Sequence, residues 1–158
     1  GNIFELNTKF SKPFDLSFTD EKGQKHYVLM GCYGIGLGRL LGAIVEALSD
    51  DQGIIWPENI APFRVHLLSL GETGEVKEKA ETVYGTLLKN NIEVLFDDRE
   101  KVSPGEKFAD ADLLGMPYRV VVSERSMKEN GIEIKKRNEK KGKIVSLDEL
   151  LKMLKPSA

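Results

Sequence analysis

From residue 63 onward, short apolar and β-branched runs alternate with segments of helical period, and helix starts and stops fall between them. Arg64–Leu70 reads as a strand. Val76, Ala80, Val83, Tyr84, Leu87 and Leu88 then recur on one face of a helix. Ile92–Phe96 is a short buried strand. Ser103-Pro104-Gly105-Glu106 carries three agreeing helix-start signals: an N-cap Ser, Pro at the first helical position and Glu closing a capping box. Gly115 stops that helix, Pro117 follows, and Tyr118–Val122 is a β-branched strand. Gly131–Lys136 reads as another strand. Ser146-Leu147-Asp148-Glu149 is a second capping box, opening a last helix with Leu147, Leu150, Leu151 and Leu154 inward. Strands separated by helices re-enter a sheet in the same direction, through right-handed crossovers. The expected class is therefore α/β, a mixed and mostly parallel sheet flanked by helices, with the last strands as an antiparallel edge.

The chain before residue 55 has another texture. Ile3–Leu6 and His26–Met30 are strand candidates, and Asp20-Glu21-Lys22-Gly23 reads as a turn between strands. Glycines at 31, 34, 36 and 38 precede Leu37, Leu40, Leu41, Ile44, Val45 and Leu48, whose spacing predicts a helix ending near Asp50. Trp56-Pro57-Glu58-Asn59-Ile60-Ala61-Pro62 reads as a linker. The expected division is 1–55, a linker at 56–62, and a domain at 63–158. The opening Gly1–Phe4 reads as the interior of a longer protein.

Composition narrows the function classes. The formal charge of −2 leaves no global basic field, so any nucleic-acid contact has to use a local patch. One Cys and two His are too few for a structural zinc site, and one Cys makes no internal disulfide. No apolar run approaches a membrane span, so a cytoplasmic protein is expected.

Three stretches carry candidate chemistry. In the first, the glycines precede a helix start, which suits a phosphate, but they match neither the G-x-G-x-x-G nor the P-loop spacing. A strand-to-helix junction with close backbone approach explains them equally well. Arg39 tilts the balance, because a cation in a first helical turn opposes the dipole unless an anion or a ring compensates. Cys32 reads as a small buried hydrophobe, with no His near it in sequence. The second stretch runs from Asp97 to Lys107 and joins a strand end to a helix start, where ligands of open α/β sheets bind. There Arg99 and Lys107 are placed to reach bases or phosphates, and Asp98 to accept from a base edge. Phe108 either stacks or packs, and a solvated charged loop is the plainer reading. The third, Lys135–Lys143, sets six basic residues against one Glu. It is either a solvated hairpin tip or, through Lys140, Lys141 and Lys143, a contact for RNA backbone.

Gly31-Cys32-Tyr33-Gly34-Ile35-Gly36-Leu37-Gly38-Arg39-Leu40 resembles motif 3 of class II aminoacyl-tRNA synthetases in its bacterial prolyl form. Gly1–Ser11 is similar to a stretch upstream of that motif, although Asn2 stands where His is common and Asn7 where Gly is common. Asp97-Asp98-Arg99 and Ser103–Pro117 resemble the anticodon-binding domain shared by prolyl, threonyl, histidyl and glycyl enzymes.

The resemblance implies a C-terminal part of an enzyme that activates proline with ATP and Mg²⁺ and transfers it to its tRNA. It implies that Arg39, with Gly36 and Gly38, contacts ATP. Cys32, Gly34 and Asn2 would line the amino-acid pocket, and Asp98, Arg99, Lys107 and Phe108 would meet anticodon bases. Motifs 1 and 2, which supply the dimer interface and an α-phosphate Arg, are absent from this sequence. The whole enzyme is expected to be a homodimer. This chain is expected to be inactive alone, to hold no cofactor tightly, and to be a monomer or to associate through residues 1–55. A free-standing RNA-binding accessory protein is the alternative from another class. A small nucleotide-binding enzyme is a weaker third reading, because no second set of catalytic residues accompanies the glycines.

Overall fold

The computed structural model describes residues 1–71 and 73–155. The chain divides into two compact units, one spanning Gly1–Ile44 and one running from Val45.

In the first unit, β1 (Asn2–Asn7) pairs antiparallel with β4 (Met30–Gly34). Between them, β2 (Ser17–Thr19) and β3 (Lys25–Tyr27) form a hairpin around the expected turn. Asp20 builds that turn, its carboxylate accepting from the Lys22 and Gln24 amides and facing His26 Nε2 at 2.8 Å. The helix α1 (Leu37–Ala47) starts within the glycines as expected, yet none of its residues is buried. Ile3, Phe14, Leu29, Tyr33 and Leu37 of this unit are also exposed.

The second unit is built on a five-stranded sheet. Its strands are β7 (Val65–Leu70), β8 (Val94–Asp97), β9 (Tyr118–Ser123), β10 (Ile132–Lys136) and β11 (Lys143–Val145), in the order β11-β10-β9-β7-β8. β7 is parallel to both β8 and β9, while β10 and β11 form the expected antiparallel edge. α2 (Gly74–Lys89) and α5 (Leu147–Leu154) pack on one face, where Val76, Ala80, Val83, Leu87, Leu150 and Leu154 meet Val65, Leu67, Val120 and Val122. α3 (Pro104–Leu114) covers the other face through Ala111 and Phe108 on Leu68 and Val121. Ser103 caps α3 by accepting from the Glu106 amide, and Gly115 closes it in the left-handed conformation.

Two elements escaped the sequence reading. A short helix α4 (Glu124–Lys128) follows β9, its capping box made by Ser123 and Ser126 rather than by an acidic residue. Residues after α1 form a hairpin of β5 (Ser49–Asp50) and β6 (Gly53–Ile54). That hairpin belongs to the second unit and packs on the end of α3, so the break falls ahead of residue 55. A Cβ on Gly115 would lie 1.8 Å from the Ile54 carbonyl oxygen, and one on Gly53 would lie 2.4 Å from Leu113 Cα. The contact is backbone against backbone. Trp56 completes it, its amide donating to Gly115 O and its indole Nε1 to Leu114 O. These bonds satisfy carbonyls that a helix end leaves without partners.

Candidate nucleic-acid interface

The chain leaves β7 for α2 on one face and leaves the neighbouring β8 for α3 on the other. Adjacent strands whose connections part to opposite faces open a crevice at their carboxyl ends. A cleft of about 800 Å³ lies there, lined by Ser69, Leu70 and Gly71 from the end of β7 and by Asp98–Pro104 from the loop after β8. Lys77 from α2 faces Glu100 across it, Nζ to Oε1 at 2.5 Å.

Asp97, the last residue of β8, is buried and organises the loop. Its Oδ1 accepts from Arg99 Nε at 2.9 Å and from the Arg99 amide at 3.2 Å, and its Oδ2 accepts from Arg99 Nη2 at 2.8 Å. Arg99 Nη2 also donates to Asp110 Oδ2 on α3 at 2.7 Å. The Arg99 guanidinium holds the Asp97 carboxyl below the usual carboxylate range against the opposing effect of burial, and the charge of Lys107 assists. The two carboxylates in turn raise the Arg99 pKa, Asp97 more than Asp110. Asp98 and Arg99 are exposed at the cleft.

Two residues expected beside them have other surroundings. Lys107 is buried, its ammonium donating to Ser69 O at 3.0 Å and Asp97 O at 3.2 Å and lying 3.6 Å from Asp97 Oδ1. It turns back from the helix start to the carbonyls that end β7 and β8, where it forms part of the inner wall of the cleft. Phe108 is packed on the small core of Leu68, Ala111 and Val121 and covered by the Arg119 guanidinium at 4.5 Å from its ring centroid. The packing reading of Phe108 is the one its surroundings match.

The basic run also separates. Arg137 is buried, Lys135 Nζ lies 3.9 Å from Asp112 Oδ1, and Lys136 Nζ sits 5.6 Å from the Tyr118 ring centroid. Lys140, Lys141 and Lys143 remain exposed at the β10–β11 turn. No sequence signal marked Arg137 apart, because its partner is 87 residues away.

In the first unit, the β1–β4 register pairs Asn2 with Gly34 and Phe4 with Cys32, so Asn2, Gly34 and Cys32 share one face of the ribbon. Cys32 is exposed rather than buried. The Arg39 side chain lies back over Gly36, where a Cβ would come within 3.2 Å of Nε, while the space beside Gly34 and Gly38 is open. Among the described residues no cluster of His, Cys, Asp and Glu is fit to hold a metal ion. Among the described residues no helix is long and apolar enough to cross a membrane.

Residues 64–156 match the anticodon binding domain family. The chain belongs to that family. The proline–tRNA ligase of Persephonella marina is 47% identical over 151 residues, covering 95% of this chain and 26% of the relative. That of Thermosipho africanus is 49% identical over 137 residues, covering 87% of this chain and 24% of the relative. The chain thus spans about a quarter of the length of the curated relatives it matches. A crystal structure of prolyl-tRNA synthetase from Cryptosporidium parvum, complexed with halofuginone and AMPPNP, superposes with a TM-score of 0.84 at 26% identity. It covers 96% of this chain and 32% of that one. These likenesses extend across both units, which a free-standing RNA-binding module would not require.

Proposed function

We propose that this chain is the anticodon-reading part of a proline–tRNA ligase, joined to a strip of that enzyme's catalytic domain. The observation that carries the reading is the switch-point cleft of an anticodon-binding fold, with Asp98 and Arg99 at its mouth. Splayed single-stranded bases present Watson–Crick edges, and a guanidinium beside a carboxylate offers both donors and acceptors to them. Lys140, Lys141 and Lys143 supply sequence-independent attraction to RNA backbone.

Residues 1–44 are the strip carrying motif 3. Their exposed apolar side chains fit a piece that is covered by the remainder of a catalytic domain, and patches of this kind mark surfaces meant for a partner. There Arg39 would contact ATP, with room left by Gly36 and Gly38, and Asn2, Cys32 and Gly34 would face proline. ATP and Mg²⁺ would be used by the whole enzyme to activate proline. The whole enzyme acts as a cytoplasmic homodimer, and this chain alone does not activate proline.

Fluorescence anisotropy with a proline-tRNA anticodon stem-loop and an altered-anticodon control tests the reading. The expected result is preference for the matched loop, with Arg99→Ala costing about tenfold in discrimination. Equal binding of both loops by the unaltered chain would overturn it.

A further inference from the structure

We infer that Lys107 is a positioning residue, which locks Asp97 and through it presents the Arg99 guanidinium edge to the cleft. This rests on the reading of the cleft as an RNA site. Arg99 has five N–H donors. Nε and Nη2 are spent on Asp97 and Asp110, whereas Nη1 has no partner among the described residues. One edge of the fork is clamped by two carboxylates, and the other edge stays available to a ligand. An arginine side chain ordinarily loses much rotamer freedom on binding, so a guanidinium already fixed binds at lower cost and tolerates less variation in its partner.

The clamp depends on the geometry of Asp97, and Lys107 sets that geometry. Its ammonium holds two backbone carbonyls from adjacent strands, Ser69 O and Asp97 O, at the points where those strands end. It also stands 3.6 Å from Asp97 Oδ1, on a carboxylate that is itself buried. Asp97 thus sits between one buried cation and one exposed cation. Removing Lys107 takes a donor from two carbonyls at the strand ends and leaves the carboxylate free to turn, so Arg99 loses its seat.

The test uses the full chain with Lys107→Met, Arg99→Ala, the double variant and Asp97→Asn. Two quantities are measured: matched-to-mismatched stem-loop discrimination, and the Arg99 Nε–H NMR resonance in protein without RNA. Lys107→Met is expected to lose about tenfold in discrimination. It should also move the Nε–H resonance to the position of a free arginine. In the Arg99→Ala background it is expected to cost nothing further, which general weakening of the fold would not produce. An unchanged resonance in Lys107→Met, or a loss that adds fully to that of Arg99→Ala, would overturn the inference. If Lys107→Met fails to fold, Asp97→Asn decides, because retention of both the resonance and the discrimination would break the middle link. If the unaltered chain prefers neither RNA, the reading of the cleft fails and the resonance alone judges the brace.

Discussion

The guanidinium of Arg137 grips the carboxylate of Asp50 across 87 residues of sequence, Nη1 to Oδ2 at 2.9 Å and Nη2 to Oδ1 at 2.6 Å. Arg137 Nε also donates to Asp112 O on α3 at 2.9 Å. One buried side chain thereby ties the β5–β6 hairpin, the α3 helix and the end of β10 together. The pairing lowers the Asp50 pKa, with the hydrogen bond from Arg137 as the largest cause.

This tie makes residues 45–56 part of the second unit. A chain starting at Pro57 is expected to melt at a lower temperature than one starting at Val45. Arg137→Met should reproduce most of that loss, because it frees the hairpin and strips a partner from the Asp112 carbonyl. Thermal melts followed by circular dichroism check this. Equal melting temperatures for the two starting points would show that the hairpin is dispensable.

Gly115→Ala confronts the same contact from the other side. The position has φ of +70°, and its Cβ would collide with the Ile54 carbonyl. Strain in the left-handed region plus displacement of the hairpin should cost about 2–4 kcal/mol in urea unfolding. Gly105→Ala, in a helix with open space beside it, is the control and should change stability by about 1 kcal/mol or less.

His66 sets a pH dependence. It is buried on the α3 face of β7, and its Nδ1 has no partner among the described residues. Burial pushes its pKa below the ordinary 6.5, with the charges of Asp97 and Asp110 opposing and those of Arg99 and Arg119 assisting. The unfolded chain therefore takes up the proton first as pH falls. The stability from a neutral His66 is complete above about pH 6.5 and declines below it. Urea melts at pH 7.5 and 5.5 are expected to show this loss, and His66→Gln should flatten the difference. An equal slope in the variant would assign the effect to other groups.

Neutralising Lys140, Lys141 and Lys143 together should weaken matched and mismatched stem-loops alike. The slope of log affinity against log salt should fall by up to about 2, the value for three backbone contacts on single-stranded RNA. A change in discrimination without a change in slope would place these lysines at the bases instead.

Local signals were legible wherever chemistry acts within a few residues. Ser103 with Pro104, Gly115 as a helix stop, the Ser146 capping box and the apolar faces of α2 and α5 all settle in backbone geometry and short-range hydrogen bonding. Alternating strands and helices then dictate the parallel pairing of β7 with β8 and β9 within a mixed sheet, and with it the place of a crevice between β7 and β8. Which side chains serve that crevice is another matter. Lys107 and Arg99 look equivalent in sequence, two cations in one loop-helix stretch. One is buried against two strand ends in the cleft wall and the other is exposed at the cleft, because the direction of a side chain depends on where the next layer lies. Arg137 and Lys140 look alike for the same reason, yet only Arg137 meets a carboxylate brought in from residue 50. The chain's own order determines its elements and their sequence around the sheet. Pairings across tens of residues, and the burial that decides whether a charge is structural or free, come only from the packed layers.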